Sequence, residues 1–266
     1  MRARFGDKDV IAVNSDAGKW EHPLTVAFVS FFSETVFPVV KVEALVRDMW
    51  EDDSTRPEFY GLDPDAVLDF EEMVRIKKRP PSRKAQFCTT ILKLKPQRRW
   101  TRHMFGPTGP YAGEDFERYT GVRRDESEAR KDYPDREWDR FFDCWVNHPI
   151  AALGKDACFE GAKSRGEPIN PLYTMGFKRV GCAPCINSSK EDILNWQARA
   201  PEMIEKIRGL ETRTGRTFFA PMVPGLPMNN IEQVMEWAKT SHGGRQQLFP
   251  ILHEREGCES KYGLCE

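Results

Sequence analysis

Two cysteines separated by two residues, Cys182 and Cys185, form the motif with the clearest chemistry in this sequence. Thiolates at this spacing lie on one tight turn, where they can bind two corners of an iron–sulfur cluster or half of a tetrahedral zinc site. The chain has seven cysteines and no export signal. This combination favours metal ligation or thiol chemistry over a disulfide framework.

Four further cysteines differ in their surroundings. Cys258 and Cys265 lie in a carboxy-terminal tail that lacks periodicity, and such a tail needs an anchor to be ordered, which a metal would supply. Cys144 and Cys158 have apolar neighbours in the sequence. We expect these two to be small buried hydrophobic side chains.

The remaining cysteine, Cys88, is followed and preceded by basic residues. Because positive charge favours the thiolate, we expect a lowered pKa for the Cys88 thiol and a role as either a ligand or a nucleophile. The basic neighbours are Arg83, Lys84, Lys93 and Lys95.

Three arginines, Arg123, Arg124 and Arg130, follow a candidate strand at 119–122. Guanidinium groups concentrated in one turn and the first turn of a helix can clamp an oxyanion. The alternative is a solvated run of charge, which is the more common role for such a segment.

The segment 16–23 lies where the first apolar strand stops. In open α/β sheets this edge is where ligands bind, so its polar residues are candidate nucleotide contacts. A single histidine such as His22 more often has a structural role. The candidates in this segment are Asp16, Gly18, Glu21 and His22.

Hydrophobic periodicity predicts the supporting elements of the first half. A strand at 10–13, a helix at 25–32 and a strand at 39–42 follow each other with short connections, which favours a parallel α/β sheet. A short helix is predicted at 66–76 and further strand character at 141–146.

The chain after Cys185 is predicted to be helical. Ser188 followed by Glu191 has the spacing of a capping box that opens an amphipathic helix. A second helix is predicted from Pro201 to Leu210, and a third from Asn230 to Lys239.

Composition describes a chain of 266 residues with a net charge of -1, 39% hydrophobic and 30% charged residues. This size suits one α/β domain with an appendage. No apolar run approaches the roughly 20 residues that span a bilayer, and the amino terminus lacks an apolar signal segment, so we expect a cytoplasmic protein without a membrane anchor. Basic clusters at 75–79 and 98–99 could meet nucleic acid or nucleotide phosphates, or be solvated faces.

Four segments, in order, resemble the phosphoadenosine-phosphosulfate (PAPS) reductase-like family of sulfur-handling, adenine-nucleotide-binding proteins. The tail 262–266 is similar to the ending of its phage and DNA-phosphorothioation branch. The matching residues are Asp16, Gly18, Glu21, His22 and Thr25; Cys88, Thr89, Leu92, Lys93 and Pro96; Gly121, Arg123, Glu126, Ser127 and Arg130; and 170–173, Gly176, Arg179, Gly181, Cys182, Pro184 and Cys185.

This resemblance implies an α/β fold of the adenine nucleotide alpha hydrolase type, Rossmann-like, with an open, mainly parallel sheet and helices on both faces. It implies an α/β domain at 1–180, incomplete at its amino end, and a helical carboxy-terminal region with a cysteine cluster at 181–266. The family's phosphate-binding loop and first strand should precede the strand at 10–13, where only nine residues stand. Three explanations stay open: a second polypeptide supplies them, the start of the chain has been misread, or the protein has lost nucleotide turnover.

The resemblance also implies the ligands. A 4Fe–4S cluster, or alternatively zinc, would be held by Cys88, Cys182, Cys185 and either Cys258 or Cys265, which leaves one tail cysteine as a catalytic sulfur carrier. ATP or PAPS would be bound by the segments above. The residues implied at the nucleotide are Asp16, Gly18, Glu21, His22, Lys93, Arg123, Arg124, Glu126, Ser127, Arg130 and Arg179.

Two functions follow from this resemblance. The first is an enzyme, an oxidoreductase or sulfurtransferase, that reduces a sulfonucleotide with a thioredoxin-like partner or mobilises sulfur from a cysteine desulfurase for nucleic-acid modification. The second is a scaffold subunit that binds a cluster or zinc without turning over nucleotide. The pair Ala151 and Ala152 stands where the family usually has tryptophan, so packing at the adenine is expected to differ.

Overall fold

The structure is a computed structural model that describes residues 10–50, 60–82, 85–219 and 228–240. Arg83, Lys84, Cys258 and Cys265 therefore lie outside the described residues, and their predicted roles stay predictions. The described strands form two sheets, one of two strands and one of three.

The first sheet pairs β1 (Ala12–Asp16) with β2 (Val39–Glu43) in parallel, from Ala12 opposite Val39 to Asp16 opposite Glu43. Helix α1 (Pro23–Thr35) connects them. Pro23 suits the first turn of this helix because that position needs no N–H donor. The predicted strand, helix and strand are thus confirmed, and the α/β class with them.

The second sheet has β5 (Cys144–Asn147) at its centre, parallel to β3 (Glu117–Tyr119) and antiparallel to β4 (Arg136–Asp139). The strand predicted at 119–122 was placed too late, since pairing with β5 ends as Thr120 donates its N–H to the Asn147 carbonyl at 3.0 Å. The strand character predicted at 141–146 also begins too early. Residues 140–143 form a turn in which Asp143 has a φ of 57°.

Helix α2 (Phe70–Lys77) begins four residues later than predicted. Helix α3 (Phe87–Thr89) continues through a π-helical turn, Thr90–Leu94, into α4 (Lys95–Phe105). Two helices after the second sheet, α5 (Lys155–Ser164) and α6 (Pro171–Thr174), complete this part of the chain.

Three helices follow the cysteine pair: α7 (Lys190–Arg199), α8 (Pro201–Thr214) and α9 (Ile231–Lys239). The capping box of α7 is formed by Ser189 and Asp192, so the predicted pair, Ser188 and Glu191, was one residue early. Ser188 instead belongs to the turn after Cys185, where its N–H bonds to the Cys185 carbonyl at 3.0 Å.

One large buried cluster joins the two halves of the chain. It contains Trp20, Phe70 and Leu92 from before residue 180, and Trp196 and Ile207 from after it. The described core crosses residue 180, and the predicted division of the chain there stays a prediction. Within the described ranges, no helix combines the length and apolarity that crossing a membrane requires.

Candidate functional site

Three cysteines far apart in sequence, Cys88, Cys182 and Cys185, line one small cavity. Lys93 lines the same cavity and is only 9% exposed. All five cysteines in the described residues are free thiols. The cavity therefore gathers soft ligands around one buried positive charge.

The π-helical turn explains how Cys88 and Lys93 reach the same cavity. In an α-helix, residues five apart point about 140° away from each other, and the wider π-turn reduces that angle. Here the Lys95 N–H bonds to the Thr90 carbonyl in that pattern. Pro96 follows at once and has no N–H to donate, which favours the irregular turn.

The loop with the cysteine pair lies against the segment after β1. Cys182 forms an isolated antiparallel bridge with Glu21, and the Ala183 N–H bonds to the Trp20 carbonyl at 2.8 Å. Inside the loop, the Asn187 N–H donates to the Cys185 sulfur at 3.4 Å. The backbone thus fixes both thiols.

The electrostatics of the cavity differ from the sequence-based prediction for Cys88. Burial raises the pKa of the Cys88 thiol to about 12, with Cys182 and Cys185 adding to the increase and Lys93 opposing it. The predicted lowering was wrong because burial outweighs the nearby lysine. Burial also raises the pKa of Cys182, to which Lys93 donates a hydrogen bond.

Lys93 is held as a cation by its neighbours. Burial acts to lower its pKa, but Cys182, Glu21, Cys185 and Cys88 together outweigh that effect, so the pKa lies above the ordinary value. Burial raises the pKa of Glu21 in turn, while Lys93 lowers it.

The thiols of the small cavity are donors that a cluster or a zinc ion could take. Across the part of the chain that the structure describes, no three His, Cys, Asp or Glu side chains are arranged to hold one metal ion. Four thiolates on one zinc would converge to within about 4 Å of each other, whereas ligands of a cluster bind different irons and stand further apart. The choice between a cluster and zinc stays a prediction for this cavity.

A larger cavity, of about 460 Å³, lies beside the first. Its walls come from β1, α1, α5 and the loop before the cysteine pair, with apolar surface from Phe28, Val29 and Phe159. Glu21 and Lys93 line it as well. Lys93 is thus shared by both cavities, and it joins the thiol-lined site to a space of the size that small ligands occupy.

The end of β1 is tied to the helix that carries Lys93. The Ser15 hydroxyl donates to the Lys93 carbonyl at 2.9 Å, and the Gln97 amide donates to that hydroxyl at 2.9 Å. Gln97 also accepts from Arg118 of β3 at 3.4 Å. Sequence reasoning missed Gln97, because only the fold brings these elements together.

The arginine segment contains a buried ion pair. Arg130 pairs with Glu126, and their side chains are 1% and 4% exposed. Burial lowers the pKa of Arg130 to about 10, and Arg179 and Arg123 add to the decrease. Ser127, beside them, is buried with a hydroxyl that has no hydrogen-bond partner among the described residues.

Tyr173 connects these arginines to the larger cavity. It lines that cavity, and burial raises the pKa of its hydroxyl while Arg123 and Arg179 oppose the increase. The Lys155 ammonium lies 5.5 Å from the Tyr173 ring centre. Positive charge therefore lies close to Tyr173, and the oxyanion clamp predicted for Arg123, Arg124 and Arg130 stays a prediction.

Arg124 has different partners from the other arginines. It donates to the Tyr133 carbonyl at 2.8 Å and to Asp135 at 2.7 Å. Its backbone N–H bonds to Ala151, which fixes the loop after β5.

The segment after β1 is mainly structural in its contacts. Asp16 accepts the Gly18 N–H at 2.7 Å, and Gly18 has a φ of +64°, a conformation that favours glycine. His22 caps α1 by accepting the Leu24 N–H at 3.1 Å. Of the predicted nucleotide contacts here, Glu21 lines the larger cavity, and the roles of the other three stay predictions.

The two cysteines predicted as buried hydrophobic residues differ. Cys144 is 3% exposed, as expected, and burial raises its pKa to about 11. Cys158 is half-buried and lines the larger cavity on α5. The sequence around α5 does not indicate that Cys158 lines a cavity.

The fold and the two cavities define an α/β protein with a thiol-lined site beside a ligand-sized cavity. Residues 59–188 match the phosphoadenosine phosphosulfate reductase domain. An uncharacterized 37.8 kDa protein of Escherichia phage 186 is 32% identical over 96% of this chain and 88% of its own length. The chain belongs to the PAPS reductase-like family.

Reductases are among its relatives. The adenosine 5'-phosphosulfate reductase of Allochromatium vinosum is 30% identical over 64% of this chain, which spans 62% of that enzyme. The enzyme of the same name from Streptomyces coelicolor is 41% identical over 66 residues, 25% of this chain and 28% of its own length.

Proposed function

We propose that this chain is an oxidoreductase of the sulfonucleotide reductase type, which binds an adenine sulfonucleotide in the larger cavity with its sulfur directed toward the cysteines. The observation that carries this proposal is the position of Lys93. This buried cation lines both cavities, so a sulfonate at their boundary would meet it. The reductases among the relatives support the same chemistry.

The larger cavity offers complementary surfaces for such a ligand. Phe28, Val29 and Phe159 provide apolar contact of the kind that a purine ring requires. Arg123 and Arg179, close to Tyr173, provide positive charge for phosphate. A ligand with an aromatic base and several negative charges matches both ends.

The cysteine cavity would hold the iron–sulfur cluster. Cys88, Cys182 and Cys185 are three of its ligands, and the fourth would be Cys258 or Cys265, outside the described residues. When bound, the cluster would add electrostatic stabilisation beside the sulfonucleotide. Lys93 orients the Cys182 thiol by its hydrogen bond and faces the substrate cavity.

The reaction would proceed by thiol chemistry from the tail. A thiolate of Cys258 or Cys265 attacks the substrate sulfur, a sulfur–sulfur bond forms, the sulfur–oxygen bond breaks, and the nucleotide leaves with its phosphate. A thioredoxin-like dithiol then attacks the cysteine sulfur, releases sulfite and takes up the two-electron oxidation as a disulfide. Lys93 would neutralise the sulfonate during the attack.

Further partners are part of the proposal. Within the described residues, β1 pairs with one strand only, and the larger cavity runs along it. A strand and phosphate loop from elsewhere, including a second polypeptide, would complete this edge. ATP with persulfide from a cysteine desulfurase, acting on nucleic acid, is the alternative chemistry for the same cavities.

Binding of labelled nucleotides tests the proposal. The full chain, purified without oxygen, is titrated with labelled adenosine 5'-phosphosulfate, PAPS and ATP in parallel. We expect saturable binding of a sulfonucleotide, and sulfite release when thioredoxin is added. Binding of ATP alone would replace the reductase proposal with the persulfide chemistry, and binding of none would overturn both.

A further inference from the structure

One tryptophan is bonded to both residues that separate the cysteine pair. The Trp20 carbonyl accepts the Ala183 N–H at 2.8 Å, and the Trp20 indole N–H donates to the Pro184 carbonyl at 2.9 Å. We propose that Trp20 is a positioning residue that fixes the turn between Cys182 and Cys185, and with it the spacing of the two thiols.

Trp20 is itself held firmly. Its side chain is 2% exposed and stacks on Phe70, with ring centres 4.4 Å apart and planes at 13°. Phe218, from the segment after α8, lies against the same ring at 5.9 Å. A large ring clamped in the core cannot follow a movement of the loop, so it acts as a fixed point.

The backbone of Trp20 is equally constrained. The short 3₁₀ turn Gly18–Trp20 begins at the left-handed Gly18, and the Lys206 ammonium donates to the Lys19 carbonyl at 2.7 Å. These contacts hold the turn, and the Trp20 carbonyl with it, in one position.

The two hydrogen bonds restrict both ends of the loop. The backbone torsion angles of Ala183 and Pro184 determine the distance between the two sulfurs, and the proline ring fixes only one of them. One bond fixes the Ala183 amide and the other fixes the Pro184 carbonyl. Cys182 and Cys185 are thereby held at the cavity that Cys88 and Lys93 also line.

The substitution Trp20→Phe tests this role, since it keeps an aromatic ring against Phe70 and removes the indole N–H. The matched control is Trp196→Phe. Trp196 is 1% exposed and packs against Phe177 with ring centres 4.3 Å apart, but its indole N–H has no hydrogen-bond partner among the described residues. Both changes remove similar volume from the core, and only one removes the bond to the loop.

The measurement is the rate at which a maleimide modifies each cysteine in the metal-free full chain, resolved by peptide mass spectrometry. Loss of a buried hydrogen bond corresponds to roughly a three- to tenfold change in an opening equilibrium. We expect Trp20→Phe to accelerate modification of Cys182 and Cys185 by about that factor, relative to Cys144. Trp196→Phe should leave that ratio unchanged.

A second measurement covers the proposed cluster, on which this inference partly rests. Trp20→Phe should also increase the rate of cluster loss in air by several-fold, followed by absorbance. If the wild-type chain binds no cluster, the thiol rates still test Trp20, so the two failures are distinguishable. Equal rates in the two tryptophan variants would overturn the positioning role.

If Trp20→Phe does not fold, a near-isosteric variant takes its place in the test. Benzothienylalanine at position 20 keeps the bicyclic ring and replaces the N–H by sulfur. It should reproduce the faster modification at unchanged global stability, and a wild-type rate in that variant would contradict the proposal.

Discussion

Glu126 pairs with Arg130 in an ion pair that is almost completely buried, with side chains 4% and 1% exposed. Removal of one partner leaves the other charge without compensation in the interior, which is costly. We expect Glu126→Gln to lower the free energy of unfolding by ~3 kcal/mol, measured by denaturant titration.

An exposed pair in the same segment is the control for this prediction. Glu128 pairs with Lys131, and their side chains are 43% and 57% exposed. Glu128→Gln should change the free energy of unfolding by less than ~1 kcal/mol. Equal effects of the two substitutions would show that burial of the first pair has no energetic role.

Arg123 is predicted to contact the phosphate of the nucleotide. Its side chain is 15% exposed, bonds to Asp125 at 3.1 Å and acts electrostatically on Tyr173, which lines the larger cavity. Loss of a charged hydrogen bond should weaken sulfonucleotide binding by roughly 10- to 100-fold in Arg123→Gln. Calorimetry measures this, with Arg165→Gln as an exposed control; a Kd within twofold of wild type would place the phosphate elsewhere.

His148 should make stability depend on pH. It is 4% exposed, and burial lowers its pKa while Glu137 opposes the decrease. Below the ordinary value of about 6.5, the unfolded chain binds a proton more readily than the folded one, so stability falls as the pH drops through that window. We expect His148→Asn to flatten the decrease in stability between pH 7 and pH 5.

The control for His148 is the exposed His103. His103→Asn should leave the pH dependence of thermal unfolding unchanged. The Thr120 hydroxyl lies 2.7 Å from the His148 ring, so some loss of stability at all pH values is expected as well. An unchanged pH slope in His148→Asn would contradict the assignment.

Substitutions of individual cysteines should fall into two groups according to their effect on the iron content of the protein. Cys182→Ser removes a sulfur at the small cavity and should abolish most of the iron content. Cys158→Ser changes a sulfur in the larger cavity only and should retain iron. Metal analysis of anaerobically purified variants measures both, and iron retained in Cys182→Ser would exclude that cavity as the site.

The local elements were predictable because their signals are local. The β1, α1 and β2 unit follows from apolar periodicity, and α8 and α9 from residues three and four apart. The predicted amino-terminal cap of α7 was one residue early, because Ser188 belongs to the turn that follows Cys185. The predicted limits of β3 were wrong because the limits of this strand depend on its pairing with β5.

The site was predictable only in part. Cys88 and Cys182 are far apart in sequence, so only resemblance to a family could bring them together. The π-turn that aligns Cys88 with Lys93, the bonds of Trp20 to the cysteine loop, and the burial that raises the pKa of Cys88 are tertiary effects. None of them leaves a pattern in residue spacing.

The central claim is that the cysteine cavity holds an iron–sulfur cluster beside the proposed substrate. Its most direct test is an absorption spectrum with iron and zinc analysis of the full chain, purified without oxygen. We predict a broad absorbance at about 400 nm and about four irons per chain. A colourless protein that contains zinc and no iron would contradict the account.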